Sequence, residues 1–91
     1  MFKVTTTIYS PDYEDQEFIH FRESSWNKVT EMSQGGLTDG EREVNYLDNC
    51  TVLARTFVDY VAAEDWQNWL ISNIPSKWKD GKISNVIEEI S

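Results

Sequence analysis

The residues from Cys50 to Ile74, CTVLARTFVDYVAAEDWQNWLISNI, leave this chain little freedom in how it can fold. Thr51 to Val58 alternates, and both sets of positions carry apolar side chains: Val52, Ala54 and Val58 on one side, Leu53 and Phe57 on the other. A β-branched and aromatic run of that kind predicts a central strand covered on both faces. Directly after it, Ala62, Trp66, Trp69, Leu70 and Ile74 recur at three- and four-residue spacing, which predicts an amphipathic helix. Glu64 and Asp65 fall in its first turns, where the positive end of the helix dipole favours acids. Pro75 closes it, because a residue preceding proline is pushed out of helical geometry. A strand feeding straight into a buried helix needs a sheet around it, and the rest of the chain is read for those partners.

Phe2 to Tyr9 alternates, with Phe2, Val4 and Ile8 on one face, and predicts a first strand ended by the turn residues Ser10, Pro11 and Asp12. Between Tyr13 and Gln34 two readings stand. In the preferred one, Glu17 to Arg22 (EFIHFR) is an additional early strand and a helix begins at Ser24 or Ser25, both suited to an N-cap. In the other, one helix runs from about Asp15 to Gln34, with Phe18, Arg22, Trp26, Val29 and Ser33 along its face. Gly35 and Gly36 end the helix in either case. Glu41 to Leu47 predicts a strand joined through an Asp48-Asn49 turn to Cys50, residues that tolerate the positive φ angles of tight hairpins. That register sets Val44 opposite Leu53 and Tyr46 opposite Thr51. It also sets Arg42 opposite Arg55, a like-charge pair that needs acidic neighbours or splaying. Ser76 to Gly81 is a short basic loop carrying Trp78. In KISNVIEEIS after it, Ile83, Ile87 and Ile90 with Val86 fit a helical stripe, while its β-branched content fits a strand. It is assigned as a last strand because the central strand needs a sheet partner.

The expected architecture is a single α+β domain over residues 1–91: a small antiparallel sheet with two helices on one face, in the βαββαβ order of ferredoxin-like domains once the additional early strand at Glu17 to Arg22 is set aside. Element order carries no functional residue with it. Because one face of such a sheet stays open and the central strand is apolar on both, a homodimer covering that face is expected.

Charge narrows the functional classes. Sixteen acids against eight Lys and Arg give a net charge of −8, which opposes direct nucleic-acid binding and anionic membranes. It favours a partner that is a basic protein, or one that normally holds nucleic acid. A single cysteine (Cys50) and a single histidine (His20) exclude an internal disulfide and a zinc site of nitrogen and sulfur ligands. No apolar run is long enough to span a membrane and MFKVTTTIYS lacks a signal-peptide core, so a cytoplasmic protein is expected. No nucleophile–base pair and no phosphate loop is visible, so no catalytic, cofactor-binding or metal-binding residue is assigned.

The densest local feature is Asp12-Tyr13-Glu14-Asp15-Gln16-Glu17. Asp12, Glu14, Asp15 and Glu17 are read as an acidic contact surface with Tyr13 as its aromatic anchor. Trp78, between Lys77 and Lys79, either folds back onto the core or serves as a second partner-binding residue. The run ARTFVDYVAAEDWQNWL, Ala54 to Leu70, resembles parts of small accessory proteins made by T4-type bacteriophages, and that resemblance implies a host-directed role in the host cytoplasm. The resulting expectation is a non-enzymatic protein that binds and inhibits another protein through its acidic surface, possible nucleic-acid mimicry included. The alternative is a dimeric small-molecule enzyme or binding protein with a pocket between sheet and helices, lined by Tyr9, Tyr60, Arg55 and His20.

Overall fold

A computed structural model describes residues 1–90. In chain order these form β1 (Phe2–Tyr9), α1 (Gln16–Gln34), β2 (Glu43–Tyr46), β3 (Cys50–Phe57), α2 (Tyr60–Asn73), a 3₁₀ turn (Ser76–Trp78) and β4 (Ile83–Glu89). The four strands make one antiparallel sheet in the order β2-β3-β1-β4. β3, the strand that leads into α2, is therefore central, with β1 and β2 beside it.

The early strand is absent: Glu17 to Arg22 is the first part of α1. The helix is capped by Asp15, whose side chain accepts from the Phe18 amide at 3.0 Å, and not by Ser24 or Ser25. Packing decides between the two readings. Phe18 and Phe21 are three residues apart, so a strand would send them to opposite faces and a helix puts them on the same one. In the helix both are buried, together with Val29 and Met32. Ser25 is accommodated in mid-helix because its hydroxyl donates to the Arg22 carbonyl at 2.7 Å. Gly36, at φ +75°, lets the chain leave the helix, and the Leu37 amide returns to the Met32 carbonyl.

The hairpin register is as expected, with Val44 opposite Leu53 and Tyr46 opposite Thr51, and the Leu47 amide bonds the Cys50 carbonyl across the turn. Its turn differs in one respect. Neither Asp48 nor Asn49 has a positive φ, and among described non-glycine residues that conformation belongs to Ser10 alone.

Both helices lie on the sheet face that carries Val4, Thr6, Ile8, Leu53, Arg55 and Phe57. An unbroken series of rings ties the layers together: Phe57 to Trp66, Trp66 to Trp69, Trp69 to Phe21, Phe21 to Phe18 and Phe18 to Trp78, with centroids 4.8–6.1 Å apart. Such spacing suits offset and edge-on ring pairs. The opposite face carries Lys3, Thr5, Thr7, Val52, Ala54 and Val86. The expected two-sided apolar strand is thus realised only in part: threonines flank Val52, and Ala54 lies beside the Lys3–Glu43 ion pair.

Candidate functional site

The acidic run sits at the corner between β1 and α1, and its members have separate tasks. Asp12 accepts from the Glu14 amide at 3.0 Å, forming a local turn. Asp15 is the α1 cap and also receives the Lys77 ammonium at 2.7 Å. That hydrogen bond, together with the one from the Phe18 amide, holds its carboxyl below the ordinary value of 3.8, while the same partner raises the Lys77 pKa. Asp12, Glu14 and Glu17 point to solvent without a lysine or arginine partner among the described residues.

Tyr13 turns away from its acidic neighbours. Its ring packs edge-on against Phe18 and Tyr46, its hydroxyl pairs with that of Thr51, and the Arg22 guanidinium lies 5.0 Å above its centre. The run thus splits into an outward carboxylate set and a partly exposed ring laid against Phe18 and Tyr46. Trp78 does not join them at the surface. It is buried in the core, and its indole N–H donates to the Ser10 carbonyl at 3.2 Å. The loop position that made it a candidate interface residue is a 3₁₀ turn folded back onto Phe18.

Beside Tyr13 a groove opens between α1 and the β2–β3 hairpin. Sequence reasoning missed it, because it depends on α1 being helical. Arg22 and Trp26 are four residues apart, so they share a helix face, and that face meets Arg42, Tyr46 and Arg55 from the hairpin. All three arginines of the chain meet here, and no acid lines the groove. The expected Arg42–Arg55 opposition is resolved by a ring: the two guanidinium carbons lie 4.5 and 5.3 Å from the Trp26 centroid. Cations over an indole face gain about 0.5–2 kcal/mol each, which offsets part of their mutual repulsion. Arg55 also lies 5.4 Å over Trp66, and only 3% of its surface is exposed. Burial first, then the Arg42 charge, lower its pKa to about 10, against a smaller upward pull from Asp39. It remains a cation at neutral pH.

Of the four residues expected to line a pocket between sheet and helices, Arg55 alone does so. Tyr9 lies on the open sheet face opposite Cys50, and Tyr60 is exposed against Phe2. His20 is exposed on the other side of α1, where it borders a shallow depression with Glu17, Ser24 and Asn73. No three His, Cys, Asp or Glu side chains gather as a metal site requires, and no helix is long and apolar enough to cross a membrane, among the described residues. Comparison of the chain with protein-family models, curated proteins and solved structures finds no match.

Proposed function

We propose that this chain is a small non-enzymatic binding protein, ferredoxin-like in arrangement, that captures and inhibits a basic or nucleic-acid-binding protein through its acidic exterior. The strand order β2-β3-β1-β4 with one helix in each half supports the ferredoxin-like reading. The observation that carries the functional reading is the segregation of charge. All three arginines line one acid-free groove, and the sixteen acids lie elsewhere on the molecule with the five lysines. Three of those lysines already pair with acids, Lys3 with Glu43, Lys28 with Asp65 and Lys77 with Asp15. Sixteen acids against eight lysines and arginines leave the exterior net negative, and a field of one sign steers an oppositely charged partner into encounter.

The contact surface at the β1–α1 corner consists of Asp12, Glu14 and Glu17, and Asp15 serves the fold. Replacing those three by Asn, Gln and Gln leaves the α1 cap intact. The triple variant is expected to keep its melting temperature and to lose partner capture, mainly through a slower association rate. Equal capture by variant and parent, with the same salt dependence, would sink this reading.

A further inference from the structure

A guanidinium taken out of water needs hydrogen-bond acceptors and, as a rule, an acid. Arg55 has neither in adequate measure. Its Nε is buried with no hydrogen-bond partner, and its Nη1 reaches only the Gly40 carbonyl, at 3.4 Å. On one side Arg55 and Arg42 border an exposed depression with Asp39, Glu41 and Glu43, but none of these forms an ion pair with either arginine. On the other side lies the acid-free groove, where Arg22 adds a third positive charge. Other buried polar groups of the sheet are satisfied: Thr6 donates to Asn85 at 2.6 Å and Thr38 to the Thr56 carbonyl at 2.7 Å.

We propose that the groove is a binding site for a small-molecule oxyanion, a carboxylate or phosphate group carried on a flat apolar body. The head would sit among Arg55, Arg42 and Arg22, whose planar forks match the oxygens of either group. The space between the walls is about 60 Å³. At about 15 Å³ per water position, that holds about four water-sized atoms, the size of such a head and no more. The body belongs at the mouth, where Tyr13, Trp26 and Tyr46 leave 39%, 43% and 60% of their surfaces exposed. Exposed rings beside a cationic recess are what a planar acid requires. This site is separate from the acidic exterior, and its test is independent of that reading.

The full chain would be titrated with benzoate and phenyl phosphate, and with the ring-free acetate and inorganic phosphate, followed by amide NMR shifts and melting temperature. Saturable shifts confined to the groove are expected with at least one ring-bearing probe, about tenfold tighter than with its ring-free counterpart. Whichever head binds identifies the group as carboxylate or phosphate. Arg55→Met is expected to weaken that binding about tenfold or more while the melting temperature holds or rises, because an unpaired buried cation is replaced by an apolar chain. Should Arg55→Met fail to fold, Arg42→Gln, at an exposed position, decides by the same loss of affinity. The proposal is overturned if none of the four probes gives a saturable shift, if ring-free and ring-bearing probes bind alike, or if both arginine variants bind like the parent.

Discussion

Replacing Trp66 with alanine removes the ring that joins most of this fold. Trp66 is 1% exposed, stacks on Trp69 at 5.9 Å and 5°, meets Phe57 at 6.0 Å and lies beneath the Arg55 guanidinium at 5.4 Å. A buried Trp reduced to Ala costs about 3–5 kcal/mol from lost transfer and the cavity that remains. Loss of the cation–π contact adds about 0.5–2 kcal/mol, so about 3.5–7 kcal/mol is expected. A domain of this size holds about 5–14 kcal/mol in all, so the variant would lose a quarter or more of its stability and, at the lower end of that range, be near or past half-unfolded in water. Each kcal/mol is worth about 4–8 °C, which sets a fall of about 14 °C or more. Urea and thermal unfolding followed by circular dichroism measure it. Trp69→Ala, at a half-buried position in the same stack, is expected to lose less. A Trp66→Ala protein within about 1 kcal/mol of the parent would refute the packing argument, since that range belongs to surface changes.

Trp26→Leu keeps an apolar wall and removes the ring shared by Arg42 and Arg55. It should cost about 1–3 kcal/mol in chemical denaturation, with part of the loss recovered in Trp26→Leu/Arg42→Gln. The Asp15 carboxyl titrates below its ordinary 3.8 in the folded protein, so its contribution is complete above that value and is lost as pH falls through the lower folded value. Asp15→Asn should therefore melt lower than the parent at neutral pH, and the gap should narrow in acid; parallel melting at every pH would contradict the cap and ion-pair assignment. If a second copy covers the face of Thr5, Thr7, Val52 and Val86, sedimentation will report twice the 10.6 kDa chain mass at micromolar concentration, and Val86→Lys will restore the monomer. A parent that is monomeric at high concentration removes the dimer.

The sheet was legible in the sequence because period-two alternation is local. Phe2 to Tyr9 and the hairpin register could each be read from their own residues, and so could the Ala62–Trp66–Leu70 stripe of α2, whereas the final strand followed from the need of the central strand for a partner. α1 was not, because its strand and helix readings differ in where Phe18 and Phe21 go, and only Trp69 and Trp78, far along the chain, settle that. The consequence reached the site. The helical alternative put Arg22 and Trp26 on one face, which looked poor as a core stripe because it borders the groove. For Trp78 the structure takes the first of two open readings: its flanking lysines left an interface role open, whereas one of them pairs with Asp15 and the indole turns inward. The Arg42–Arg55 opposition was the one feature of the groove visible beforehand, as an anomaly without its ring.

The most direct test of the central claim is affinity capture from a lysate of the source cells, comparing the parent with the Asp12→Asn, Glu14→Gln, Glu17→Gln variant across a salt series. Surface attraction is screened as the Debye length falls from about 10 Å at 0.1 M to about 3 Å at 1 M. A stoichiometric protein partner held by the parent, released by salt and missed by the variant is the predicted result. A partner retained equally by both proteins at every salt concentration, or no partner on the parent at low salt, would contradict it.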